Sequence, residues 1–361
     1  MLKDTYIMKT IADLTILAKE ALVESLSRVP FVRIAQIEVE PQAYRLQPDL
    51  VLKLELPDGE ITLVAEIKSS GEPRVTRSAV DQLRKFQQMF PRSYGIFIAP
   101  YISPASADIL TEQNIGYLDL AGNCLISFWP IYISREGSVN PFIKKRPLRS
   151  LYSPKASRIL RVLLTNGRRT WLTEELAREA SVSLGLVANI KKILEDREWV
   201  SSRRVGLQLT DPEALLNEWA ANYKFSSNKQ LLYYSLDDTS TIESRLADIS
   251  EKESVQYALT GFSGAARLAP FVRYQRAMFY ISSQKGLDKI VEQLNLKPVS
   301  SGANVTALLP YDEGVFYGSQ LIDQSRITSP IQIYLDLQKN AGRGEEAADF
   351  LLESVIKPKW R

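Results

Sequence analysis

The chain has 361 residues, with 45 Lys or Arg against 42 Asp or Glu and a net charge of +3; that length suggests two or three domains. It has no histidine and one cysteine, Cys124. This excludes Ser-His-Asp and Cys-His catalysis, histidine-based zinc sites and an internal disulfide, and leaves carboxylates, lysine and a hard metal ion as the means of any chemistry.

Residues 4–27 have the spacing of an amphipathic helix, with Ile7, Ile11, Leu14, Ala18, Ala21 and Leu22 on one stripe. The same segment carries Asp4, Asp13, Glu20 and Glu24, unlike a secretory signal. No apolar run approaches the roughly 20 residues that cross a bilayer. With a lone cysteine suited to a reducing compartment, a cytoplasmic protein with no membrane partner is expected. "FVRIAQIEVE", "DLVLKLEL" and "ITLVAEIK" read as strands and "VTRSAVDQLRKFQQMF" as a helix. "YGIFIAP" reads as a buried strand, "SPASADILTEQ" as a helix opened by Ser103 and Pro104, and "IGYLDL" as a further strand. The order α-β-β-β-α-β-α-β predicts a mixed sheet flanked by helices over residues 1–135. A Pro- and Arg-rich linker at 136–152, a helical unit at 153–223 and an α+β unit at 224–361 follow.

Asp58-Gly59 between two strands is a hairpin signal, because a type I′ turn needs positive φ at both corners. That turn would pair Pro57 with Glu60, Glu66 with Val51 and Lys68 with Asp49. Side chains alternate faces along a strand, so Asp49, Glu66 and Lys68 fall together on one face. Asp49 and Glu66 become diagonal neighbours, about 7–8 Å apart at Cα. Two carboxylates so placed, with the Ile67 carbonyl, suit Mg²⁺ or Mn²⁺, which take oxygen ligands. The bound ion would acidify a water for phosphodiester hydrolysis, with Lys68 positioning that water or stabilising charge. The plain structural alternative is a cross-strand Asp49–Lys68 ion pair beside a solvated Glu66.

Pro48-Asp49, a hairpin and then Glu66-Ile67-Lys68 resemble the PD-(D/E)xK nuclease superfamily of restriction and Holliday-junction enzymes, over residues of about 5–130. The resemblance implies that superfamily's restriction-endonuclease-like mixed sheet, with Asp49, Glu66 and Lys68 as the catalytic trio. It also implies two helpers: Gln82 on the following helix, and either Glu20 or Glu24 on the first.

Between Pro141 and Thr210 there are 15 Lys or Arg against 6 Asp or Glu, which points to a polyanion partner. Three short helical patterns and the two-stranded "VSSRRVGLQLT" read as a winged helix-turn-helix binding double-stranded DNA. "SLGLVANIKKILEDREW" would be its recognition helix, burying Leu186, Val187, Ile190, Ile193 and Leu194. That leaves Ser183, Gly185, Asn189, Lys191 and Lys192 as candidate DNA contacts. Arg203 and Arg204 at the wing, with Lys155, Arg158, Arg168 and Arg169, would meet phosphates. The alternative is a small helical domain with a solvated basic face.

"ALTGFSGAARLAPFVRYQRAMFYIS" and "SPIQIYLDLQKNAGRGEEAADFLLESVI" resemble the nucleotidyltransferase-like region of the abortive-infection type IV antitoxins, over residues of about 225–361. "IGYLDLAGNCLI" resembles a further segment of those regulators. A nucleotidyltransferase fold would set two acids on the strand that here reads "AMFYIS", which has none, so a non-catalytic unit is expected. Two functions stand side by side. One is a metal-dependent DNA endonuclease, acting in defence against foreign DNA. The other is a non-catalytic DNA-binding regulator of the antitoxin class. A homodimer, and a protein partner bound through the C-terminal unit, stay open.

Overall fold

Helix α1 (Ile11–Ser27) buries Leu14, Ala18, Leu22 and Leu26, a spacing of three to four residues that keeps them on one face. The structure, a computed structural model, describes residues 11–41, 47–142, 151–203, 206–271, 273–340 and 342–361. Seven strands follow α1: β1 (Arg33–Val39), β2 (Leu50–Leu56), β3 (Gly59–Ile67), β4 (Ser93–Ala99), β5 (Gly116–Asp119), β6 (Cys124–Phe128) and β7 (Ile131–Arg135). They lie side by side in chain order. The β3–β4 and β4–β5 pairs are parallel and the others antiparallel.

Parallel neighbours need a crossover, supplied by α2 (Pro73–Met89) and α3 (Pro104–Glu112). Both cover the face that carries Val64 and Phe97. Helix α1 covers the opposite face, against Leu50, Leu52, Leu63, Ala65 and Ile67. Burial on both sides accounts for the unbroken apolar run of β4. The expected element order is found. Strands β6 and β7 extend it, unforeseen because "LAGN" and "WP" break their apolar pattern into short runs.

The hairpin register differs from the expected one by two residues. Leu56 faces Gly59 and Leu50 faces Ala65. Residues flanking a tight turn exchange backbone hydrogen bonds, and Pro57 has no N–H to give. It takes a corner of the turn instead, where its fixed φ is favoured, and Gly59 absorbs a φ of +123°. A shift of two leaves every side chain on its expected face. Continuing the ladder by one step brings Asp49 directly opposite Glu66.

The chain divides into two compact units, residues 1–145 with 196–198, and 146–195 with 199–361. The second begins with α4 (Pro154–Thr165), β8 (Thr170–Trp171), α5 (Thr173–Glu179), α6 (Leu184–Asp196), β9 (Val200–Arg203), β10 (Gly206–Leu209) and α7 (Pro212–Asn222). Its small antiparallel sheet runs β8-β10-β9. Next come β11 (Lys229–Tyr234), α8 (Thr239–Lys252), β12 (Tyr257–Leu259), α9 (Gly261–Leu268), β13 (Ala277–Ile281) and α10 (Gln284–Gln293). The chain ends with β14 (Lys297–Pro298), β15 (Val305–Leu309), β16 (Gln320–Ile322), β17 (Ser325–Ile327), α11 (Pro330–Leu337) and α12 (Gly344–Leu351). This mixed sheet runs β14-β11-β15-β13-β12-β17-β16.

The expected break between 153–223 and 224–361 is absent. One apolar core runs from Leu160, Trp171 and Leu194 through Phe279 and Ile333 to Ile356. Polar bonds reinforce it. Arg161 of α4, fully buried, donates to Gln332 Oε1 of α11 at 2.5 Å and to Tyr311 Oη at 3.3 Å. Among the described residues no helix is long and apolar enough to cross a membrane.

Candidate functional site

Strand β3 ends where the sheet stops pairing, and there the three chemistry-bearing residues gather. Asp49 Oδ2 accepts the Ile67 N–H at 2.6 Å, while the Lys68 N–H donates to the Ile98 carbonyl at 2.9 Å. The Lys68 ammonium donates to Glu66 Oε1. The ion pair is therefore Lys68 with Glu66, not the Asp49–Lys68 pair of the plain structural alternative. Glu66 is 3% exposed, whereas the Lys68 side chain keeps 31% of its surface in solvent.

Burial pushes the Asp49 carboxyl above its ordinary range, against the pull of the Ile67 N–H and the Lys68 charge. Burial also pushes Glu66 up; the Lys68 hydrogen bond opposes the shift and the Asp49 charge adds to it. Each acid thus holds one hydrogen bond and has one oxygen without a bond among the described residues. Two hard oxygen donors raising each other's energy are a setting that a divalent cation relieves.

Gln82 lies on α2, which packs on the Glu66 face of the sheet. Its Oε1 is buried and has no hydrogen-bond partner among the described residues. An orphaned buried acceptor costs about 1–3 kcal/mol, and such atoms are informative about missing ligands. The other proposed helpers are corrected. Glu20 and Glu24 are exposed on α1, which covers the opposite face, and Glu24 is tied to Arg28 at 2.5 Å. Their helical spacing could not reveal which sheet face α1 would cover.

One acid was missed. Glu40 donates its N–H to the Asp49 carbonyl at 3.0 Å, and its charge helps to raise the Asp49 carboxyl. Its φ of +45° is unusual for a non-glycine residue. It follows β1 in a loop, where strand periodicity gives no signal. Among the described residues no group of three or more acids or cysteines could hold a metal.

The conspicuous "IGYLDLAGN" has a structural explanation. Asp119 is buried and accepts from the N–H groups of Ile102, Gly122 and Asn123 and from Asn123 Nδ2, at 2.8–3.2 Å. It closes the corner between β5 and β6.

In the basic segment, α6 buries Val187, Ile190 and Leu194, with Leu186 and Ile193 half-buried. Ser183, Gly185, Asn189 and Lys192 are exposed, and Ser183 Oγ accepts the Leu186 N–H at 3.3 Å, capping the helix. Lys191 is half-buried, 3.8 Å from Glu195. Lys155, Arg168 and Arg169 are exposed. Arg168 also donates to the Trp360 carbonyl at 2.9 Å, and Arg169 stacks 3.8 Å over Trp171.

Arg158 is removed from the phosphate contacts. Its guanidinium grips Asp312 by three hydrogen bonds of 2.8–3.1 Å and pairs with Glu313, leaving its side chain 16% exposed. Charge counting could not foresee a tertiary acid. The Arg203 side chain and Arg204 lie outside the described residues.

In the last sheet β13 is entirely buried and carries no acid. Ser263 Oγ accepts the Met278 N–H at 3.0 Å, so it fastens α9 to β13. One acid does lie close by. Asp336 of α11 is fully buried and accepts from Thr260, Tyr223, Tyr280 and Gln332 at 2.5–3.0 Å. Burial pushes its carboxyl up to about 6, against those four bonds. Enclosed on all sides by donors, it anchors the core.

Comparison with known proteins accords with the C-terminal resemblance. No curated protein matches the chain. Among solved structures, a repair endonuclease from Pyrococcus abyssi matches at 15% identity over 28% of this chain and 45% of its own, with a TM-score of 0.23. EndoMS in apo form matches at 18% over 31% and 46%, with a TM-score of 0.23. An EndoMS–dsDNA2 complex matches at 14% over 29% and 44%, with a TM-score of 0.22. The chain spans less than half the length of these structures, and likenesses so slight carry no argument. Residues 208–357, by contrast, match the family model described as "Transcriptional regulator, AbiEi antitoxin, Type IV TA system", so that part of the chain is similar to those antitoxins.

Proposed function

We propose that this chain is a DNA-binding protein whose first unit hydrolyses phosphodiester bonds with a divalent cation held by Asp49 and Glu66. The observation that carries the reading is the meeting of the two acids at the end of β3, one fixed by the Ile67 N–H and the other bonded to Lys68. Their hard oxygens and the orphaned Gln82 Oε1 fit Mg²⁺ or Mn²⁺, with the Ile67 carbonyl as a further ligand.

When bound, the cation supplies an acidified water and neutralises charge on the phosphate. Asp49 keeps a fixed orientation through its backbone bond. The partly exposed Lys68 ammonium can leave Glu66 for a phosphate oxygen or the attacking water, stabilising charge as it develops. Residues 153–210 act as a winged helix, with α6 in the major groove and Ser183, Gly185, Asn189 and Lys192 toward the bases.

A second reading, a non-catalytic DNA-binding regulator, is favoured by the family match over 208–357. Supercoiled plasmid incubated in Mg²⁺ or Mn²⁺ separates the two. Cleavage by the unaltered protein and none by Glu66→Ala, with DNA binding retained, is the expected result. DNA bound but never cut leaves the regulator.

A further inference from the structure

A cavity of about 710 Å³ lies in the second unit where the C-terminal end of α8 meets β16 and β17. It sits at the start of β12, the opposite end of that strand from α9. The volume is within the range of small-ligand pockets. Three charged side chains line it: Asp248 and Glu251, one turn apart on α8, and Arg326 of β17. All three are exposed, and no side-chain hydrogen bond or ion pair joins any of them to a described residue. Opposite charges that line one hollow without meeting leave room for a ligand that bridges them.

The remaining wall combines one orphaned polar atom with apolar surface. Ser250 is 3% exposed, and its Oγ is buried with no hydrogen-bond partner among the described residues. Such an atom is informative about a missing ligand. Buried Tyr257 accepts the Arg326 N–H at 3.1 Å, which fixes the backbone that carries the guanidinium. Phe316 is half-buried in the wall, and Leu321 lines it with 66% of its surface in solvent. An aliphatic chain laid along them would take apolar surface out of water. The end of α8 adds partial negative charge, so the hollow favours cations around one cationic pole.

We infer that this cavity binds a free basic α-amino acid of the arginine or lysine kind. Its α-carboxylate meets the Arg326 guanidinium, whose fork matches carboxylate oxygens two at a time. Its α-ammonium and side-chain cation take the two carboxylates of α8. Its methylene chain covers Phe316 and Leu321, and Ser250 Oγ gains a partner. The ligand carries one net positive charge and the three side chains one net negative. The inference is independent of both readings of the proposed function.

Isothermal titration of the full chain tests it with L-arginine, L-lysine and three analogues. Agmatine lacks the carboxylate, L-citrulline the side-chain charge and Nα-acetyl-L-arginine the ammonium. One or both amino acids are expected to bind one to one, and each analogue about tenfold more weakly than L-arginine, one charge-assisted contact being lost. Arg326→Ala should weaken L-arginine by a similar factor and leave agmatine unchanged, because agmatine has nothing for Arg326 to hold. Absence of binding by both amino acids at millimolar concentration overturns the inference. Equal binding of agmatine also overturns it, as the hollow would then hold any polyamine. Equal binding of the acetylated form would make it a seat for a peptide C-terminus instead. Equal loss of L-arginine and agmatine in Arg326→Ala refutes the proposed pairing. If melting shows that variant unfolded, Asp248→Asn with Glu251→Gln decides: it should weaken L-arginine about a hundredfold, and unchanged binding refutes the site.

Discussion

Substituting Asp336→Asn probes the buried network that joins α11 to the rest of the second unit. The carboxyl accepts from Tyr223, Tyr280 and Gln332 through Oδ1 and from Thr260 through Oδ2. An asparagine can keep the first three bonds and turn its amide toward Thr260, whose hydroxyl rotates to accept. The exchange therefore removes a buried charge with little change in shape. In the folded chain the carboxyl is raised from 3.8 to about 6. A raised acid makes the folded state the tighter proton binder, so stability is greatest below 3.8 and falls as pH rises toward 6. At about 1.4 kcal/mol per unit, the loss totals about 3 kcal/mol. For a unit of this size that is a melting shift of about 6–12 °C. Urea unfolding between pH 4 and 8, followed through Trp171 and Trp219 in the same core, reads it directly. The unaltered protein should lose stability across that window and Asp336→Asn should lose about 3 kcal/mol less. Equal slopes in both would refute the reasoning and mean that Arg161, reached through Gln332, keeps Asp336 ionised throughout.

Other outcomes follow from the same geometry. Mg²⁺ at ten times its Kd should stabilise the unaltered protein by about 1.4 kcal/mol and leave the melting of Glu66→Gln unmoved; an equal gain in both would place the ion elsewhere. The salt dependence of DNA binding should flatten by about 1.8 log units per log unit when Lys155 and Lys192 are both replaced by alanine, at 0.9 per phosphate contact. Arg158→Ala should leave that slope unchanged and cost about 1–3 kcal/mol of stability by stranding Asp312; fluorescence anisotropy and chemical denaturation separate the two effects. Gly206→Ala should destabilise the small sheet by about 2 kcal/mol or more, because φ is +134° and a Cβ would lie 2.6 Å from the Trp171 carbonyl. A neutral melt would mean that β8 and β10 part without cost.

The alternation of β2 and β3 determined from sequence alone that Asp49, Glu66 and Lys68 share a face, and that conclusion survived a wrong register because side chains repeat every two residues. The 3.6-residue stripes of α1 and α2 likewise determined which residues turn inward. Periodicity describes each element against its own axis and says nothing of what packs on it. Only the tertiary structure decided that Pro57 takes the turn corner, that α1 and its acids lie across the sheet from Glu66, and that Glu40 comes up beside Asp49. It also decided that Arg158 meets Asp312 and that the units at 153–223 and 224–361 share one core. Each depends on a partner in another element of the fold or on a loop without a repeat, and such contacts are set by the fit of whole surfaces, where local pattern carries no record of them.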